Sequence, residues 1–158
     1  MDLILWRHAE AGDHLADPVA DMERPLSPKG ERQARRVADW LNQFLPDSAR
    51  VLTSPALRYQ QTVAALGRRV KKTPALRPDS DVESLLATTR WPDSREAMLV
   101  VRHQPTLGRV AAYLMAGESA RFGDPWTIKK GSVWWLRHRP REGRAEVQII
   151  AVRTAEGL

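Results

Sequence analysis

The sequence predicts an α/β fold, one sheet covered by helices on both faces. Short apolar runs alternate with longer stretches whose apolar residues recur every three or four positions, the patterns of strand and helix in turn. Two Ser-Pro dipeptides, Ser27-Pro28 and Ser54-Pro55, supply a helix cap followed by a residue suited to the first helical position. Three apolar runs end in polar or titratable residues, at Arg7-His8, Thr53-Ser54 and Arg102-His103.

The elements come in this order. Residues 2–6 read as a short buried strand, and the polar segment 13–26, with Pro18 and Pro25, as a long loop. From Ser27-Pro28 a helix carries Ala34, Val37, Ala38, Leu41, Phe44 and Leu45 at helical spacing and stops at Pro46. Arg50–Thr53 is a strand, and Ser54-Pro55 opens a helix bearing Leu57, Val63, Ala64 and Leu66. A short strand at 73–76, an acidic loop and a short helix over 82–90 come next. Ala97–Val101 is a buried strand, and Pro105 leads a helix through Met115. Residues 132–137 and 145–152 close the chain as two strands around a turn at Pro140–Gly143.

Composition bounds the function. The 158 residues suit a single domain over 1–158, with 42% apolar and 28% charged residues as in an ordinary globular protein. Without cysteine there is no disulfide, no thiolate nucleophile and no zinc–thiolate site. No window approaches the roughly 18 apolar residues of a membrane span, and charge arrives too early for a signal peptide, so a cytoplasmic location and no membrane partner are expected. The 25 Lys and Arg against 19 Asp and Glu give a formal charge of +6, which favours anionic partners. The arginines are scattered, however, with neither zinc-finger spacing nor an aromatic RNA-binding signature, which argues against nucleic acid as the main partner.

In open α/β sheets, ligands bind beyond the carboxyl ends of the strands. Those ends carry Arg7 and His8, then Ser54 with Arg58 one turn into the next helix, then His103. Two guanidiniums and two imidazoles at one sheet edge form an anion trap, because the planar guanidinium matches phosphate oxygens with paired donors. A neutral imidazole can attack phosphorus, neighbouring positive charge favours that neutral form, and the second imidazole can stabilise the transferring group. The chemistry is that of a phosphatase.

Arg7-His8-Ala9, together with RPLSPKGERQA at 24–34, VLTSPALRYQQTV at 51–63 and LVVRHQPTL at 99–107, resembles the histidine phosphatase superfamily, most closely the SixA-type phosphohistidine phosphatases. The resemblance runs from residue 1 to about 115. It implies a three-layer, phosphoglycerate mutase-like fold, with a largely parallel sheet and an antiparallel strand at the edge. It further implies a catalytic set of His8 as the phosphorylated nucleophile, Arg7 and Arg58 as phosphate clamps and His103 as the second histidine, with no metal and no cofactor. Arg24 corresponds to a position where relatives can add a substrate-side cation. Position 9 is Ala where Gly is commoner. The larger relatives' Glu proton donor has no assignable counterpart here, since Asp79, Asp81 and Glu83 lie in a short segment.

The remaining candidates read as structure. By alternation Arg102 turns away from His103 toward solvent, and His14 and His138 sit on the surface. Trp6, Trp40, Trp134 and Trp135 pack in the core, while Trp91 and Trp126 lie in loops, packing over a helix or bordering the site. No His and carboxylate spacing matches a metal site. The function expected is removal of phosphate from phosphohistidine in a protein. The alternatives are a phosphatase for small phosphate monoesters (a sugar, nucleotide or other metabolite) and a phosphate-binding module that has lost turnover.

Overall fold

The computed structural model describes residues 1–77 and 79–158; Pro78, in the predicted acidic loop, lies outside the described residues. Six strands form one sheet: β1 Asp2–Arg7, β2 Arg50–Thr53, β3 Val70–Lys72, β4 Met98–Arg102, β5 Val133–Arg141 and β6 Arg144–Arg153, in the order β3-β2-β4-β1-β5-β6. β1 to β4 are mutually parallel, and antiparallel pairing is confined to β5 and β6. The counter-running strand β5 therefore sits one place in from the edge, and β6 forms the edge itself. Glu142 and Gly143 join these two strands with φ of 49° and 79°. Positive φ at both central residues of a two-residue loop gives a turn whose twist matches the hairpin.

Helices α2 (Pro28–Phe44) and α3 (Leu57–Ala64) cover one face, and α4 (Val82–Thr88) and α5 (Thr106–Ala116) cover the other. Alternation along β1 divides the core between them. Ile4 and Trp6 pack with Val37, Leu41, Tyr59 and Val63, whereas Leu3 and Leu5 pack with Leu85, Leu107 and Val110. All are essentially inaccessible to solvent, and burying each aliphatic side chain contributes roughly 1.5–3 kcal/mol. Trp6 lies on the α2–α3 face, as alternation predicts, and its indole nitrogen donates to Gly131 O at 3.0 Å.

Three elements depart from the sequence reading. The 13–26 loop contains a short helix, α1 (Pro18–Met22), capped by Asp17, whose carboxylate accepts from Val19 N at 3.1 Å. α3 begins at Leu57 rather than at Ser54-Pro55, because Ser54 turns its hydroxyl into the interior and Ala56 remains extended without a side-chain cap. The strand expected at 73–76 lies earlier, at β3. Pro74 has no N–H for a ladder, and Thr73 instead caps a 3₁₀ turn over Pro74–Leu76. Among the described residues, no helix is long and apolar enough to cross a membrane.

Candidate active site

The fold brings Arg7, His8, Arg58 and His103 together at the carboxyl edge of the parallel strands. β1 and β4 run side by side with Arg7 opposite Arg102, so the next residues, His8 and His103, leave adjacent strands at the same level. His8 N donates to Arg102 O and His8 O accepts from Gly131 N, both at 3.0 Å, which fixes the backbone. The ring of Tyr59 lies 5.2 Å from that of His8 and 6.0 Å from that of His103, nearly parallel to the latter.

The protonation states are set by these surroundings. His8 Nδ1 lies 2.7 Å from Ala9 O, so it carries the proton and donates, which leaves the lone pair on Nε2. Burial dominates in lowering the His8 pKa; the hydrogen bond to Ala9 O opposes it, and the charges of Arg58 and Arg7 add to the lowering, which leaves the pKa at about 3. Burial, followed by Arg102, Arg58 and Arg7, lowers that of His103 to about 4. Both rings are neutral at pH 7.

Both arginines are anchored through terminal nitrogens, and Arg58 Nη2 also donates to Tyr59 Oη at 3.4 Å. Arg7 Nη1 donates to Ile128 O at 2.6 Å, and Arg58 Nη1 donates to Asp21 O at 2.8 Å. Among the described residues, the buried Nε of each has no hydrogen-bond partner, and neither has His103 Nδ1. In a guanidinium, Nε–H and one Nη2–H project from the edge away from Nη1. That edge is the paired-donor face suited to an oxyanion. Thr62 ties α3 to the loop beyond His8, accepting from Ala9 N at 3.0 Å and donating to Arg58 O at 2.7 Å.

Asp21, absent from the sequence reading, is the hub of this region. Its buried carboxylate meets Arg24 Nε at 2.9 Å, Leu15 N at 2.9 Å, His14 Nδ1 at 3.2 Å and Arg58 Nη2 at 3.5 Å. The signal was available: Asp17-Pro18 has the same cap-then-proline grammar as Ser27-Pro28, and it predicts the helix that places Asp21. Arg24 fastens the 9–12 loop instead of reaching outward, with Nη1 donating to Ala11 O at 2.7 Å and to Gly12 O at 3.1 Å. Gly30 lets α2 approach that loop, since a Cβ there would sit 1.9 Å from Glu10 O. Tyr59, between the two imidazoles, was also missed because the helix was read only for its apolar stripe.

Arg102 does turn away from His103, as alternation requires, but into the interior and not to solvent. It is fully buried and donates to Arg77 O, Ser80 and Thr106, the last at 3.0 Å. Of the three acidic residues, Asp81 caps α4 and Glu83 pairs with Arg121, while Asp79 is exposed. His14 is exposed, and His138 packs edge-on against Trp91 away from the site. Trp126 lies on Trp134 and offers its carbonyl to Gln104 Nε2 at 2.7 Å. Among the described residues, no three His or carboxylate side chains group together as metal ligands would.

Comparison with known proteins agrees with this geometry. Residues 3–81 match the family model of the histidine phosphatase superfamily (branch 1). The phosphohistidine phosphatase SixA of Escherichia coli K12 is 32% identical over 127 residues, covering 75% of this chain and 77% of its own. An uncharacterised protein of Picosynechococcus is 36% identical over 155 residues, covering 94% and 89%. The structure of the protein histidine phosphatase SixA complexed with tungstate superposes with a TM-score of 0.72 at 25% identity, covering 99% of both chains. The chain belongs to the histidine phosphatase superfamily.

Proposed function

We propose that this chain is a metal-independent phosphatase that removes the phosphoryl group from phosphohistidine in a cytoplasmic protein, through a phosphoenzyme on His8. The observation that carries the reading is the state of His8: neutral, with its proton held on Nδ1 by Ala9 O and its lone pair on Nε2, beside two buried Arg Nε groups that have no hydrogen-bond partner among the described residues. Nε2 attacks phosphorus as the P–N bond to the substrate imidazole breaks. The departing ring nitrogen keeps the electron pair and takes a proton from solvent. Water then attacks phosphorus, the P–Nε2 bond breaks and its electron pair returns to His8. Arg7 and Arg58 hold the equatorial oxygens, and His103 donates one ring N–H to the same group. Arg24 and Asp21 position the loop and Arg58 without touching phosphate.

A protein substrate is favoured over a metabolite because only residues 77–81 separate the 3₁₀ turn over Pro74–Leu76 from α4, a stretch of sequence too short to supply a lid. The competing observation is a groove of about 460 Å³ along that segment, lined by Asp79, Asp81, Thr106, Arg109 and Arg121, a size that suits a small ligand. A side-by-side hydrolysis assay in chelator, with a phosphohistidine protein, phosphoserine peptides and a panel of metabolite phosphates, decides between them. Turnover of metabolites with none of phosphohistidine selects the second reading. Binding of phosphate without turnover of any substrate makes the chain a binding module.

A further inference from the structure

The exposed side of α2 continues the positive field of the phosphate site along the protein surface. Lys29, Arg32 and Arg36 are exposed and recur at helical spacing, so they share one strip about 10 Å long. Lys129 and Lys130 border the strip from the segment that returns to β5, and Lys129 Nζ pairs with Glu156 at 3.3 Å. Along the strip lies a shallow groove of about 220 Å³, lined by the three helix cations with Gln33, Ala155 and Glu156.

This strip is joined to the catalytic loop. Gln33, one residue beyond Arg32, accepts from Glu10 N at 3.0 Å and lies against Gly131, whose N–H holds His8 O. Lys29 and Lys130 both act on the Glu10 carboxylate, two residues from His8. The opposite rim is of mixed charge: Asp79, Asp81 and Glu83 are exposed there, but Arg109 and Arg121 line the same groove and Arg121 pairs with Glu83. Net positive charge is thus concentrated on the α2 side, which would orient a charged partner as well as attract it.

We propose that the α2 strip is a docking surface for the substrate protein, and that it selects phosphohistidine carried on an acidic protein surface. The proposal rests on the phosphohistidine reading above and adds to it where the partner sits and what charge it bears. A metabolite phosphate offers these cations no acidic protein surface. A nucleic acid is the poorer fit, because Glu10 and Glu156 interrupt the strip and no aromatic side chain lines the groove for base stacking.

The test uses phosphoramidate as a small substrate and two 15-residue phosphohistidine peptides, one carrying six Glu and the other six Gln at the same positions. Wild-type protein should cleave the Glu peptide at least tenfold more efficiently at low salt, with the preference shrinking toward unity in 0.5 M salt. The triple variant Lys29→Glu, Arg32→Glu, Arg36→Glu should lose or reverse the preference while cleaving phosphoramidate at the wild-type rate. Two of its changes lie in the first turns of α2, where negative charge suits the helix dipole. Equal rates on both peptides in wild type overturn the docking surface. Loss of phosphoramidate turnover in the variant means that these cations support the site itself. Cleavage of phosphoramidate but of neither peptide overturns the phosphohistidine reading, and the docking surface with it. A single-stranded oligonucleotide that binds through these three cations, in a protein that ignores peptide charge, assigns the strip to nucleic acid instead.

Discussion

The same dipeptide, Arg-His, ends two neighbouring parallel strands in register, as Arg7-His8 on β1 and Arg102-His103 on β4. Alternation treats the two pairs alike. Both histidines emerge toward α3 and Tyr59, and both arginines toward the opposite face. The segments beyond the two strands set them apart. The loop after β1 offers Ala9 O to His8 Nδ1, whereas His103 Nδ1 is buried with no partner among the described residues. Among the described residues, Arg7 is tied at Nη1 alone, while Arg102 is spread across Arg77, Ser80 and Thr106. Two identical dipeptides in equivalent places thus receive different work from their surroundings.

The largest effect should come from exchanging the two histidines' fates. His8→Ala removes the proposed nucleophile and should lower turnover by about 10⁴-fold or more. His103→Ala removes one donor to the transferring group and should cost about 10²–10³-fold, while still allowing an acid-labile phosphoenzyme to be trapped by rapid quenching. A label that survives in His8→Ala, or that maps to His103, reverses the assignment. Neither loss should respond to chelator or to added divalent ion, since the arginines already neutralise the transferring group.

The arginines should split differently. Arg58→Lys keeps the charge but loses the side-edge donor pair, and should reduce kcat/KM about tenfold or more. Arg102→Leu should do the reverse. It strands acceptors on Arg77, Ser80 and Thr106, so stability should fall by about 1–3 kcal/mol per buried acceptor left without a partner, while the folded protein still forms the phosphoenzyme. If Arg102→Leu abolishes labelling in a protein that remains folded, then Arg102 belongs to the site and the contrast between the two pairs fails.

The parts that were legible in the sequence are those governed by local rules. The strand-end residues Arg7, His8 and His103 could be placed because an apolar run and the switch-point rule fix both the strand and its functional end. Helix α2 was legible from its cap and its apolar stripe. Asp21 was not, because its importance lies in reaching Arg58, 37 residues away in the chain, and a five-residue helix leaves almost no periodicity to read. Arg102 was misjudged for a related reason. Alternation gave its direction, but Arg77 and Ser80, which accept its hydrogen bonds, come from more than 20 residues earlier in the chain. Tyr59 shows the same limit: its ring touches two histidines that come from different strands.

The smallest expected effect is an absence of change, and it tests the electrostatic side of the comparison. Because burial and the neighbouring arginines lower the pKa of His8 to about 3 and that of His103 to about 4, both rings stay neutral throughout pH 5–8. Protonation of His8 would occupy the Nε2 lone pair, so activity should fall only as the pH drops toward these values and not near the ordinary histidine pKa of about 6.5. The rate of phosphoenzyme formation under single-turnover conditions, compared between pH 5 and 8 after allowance for substrate ionisation, should therefore be nearly flat. The ring signals of both residues, assigned by His8→Ala and His103→Ala, should likewise not titrate across that range in the free protein. Inorganic phosphate should change this, because an anion at the Arg7 and Arg58 edges offsets the positive charge that disfavours protonation, raising the pKa of both imidazoles. His103 should move further than His8, since its Nδ1 has no acceptor among the described residues and its ring is the freer of the two to donate to the anion. Titration of His8 near pH 6.5 without anion would mean that its ring is solvated and not held beside the two arginines.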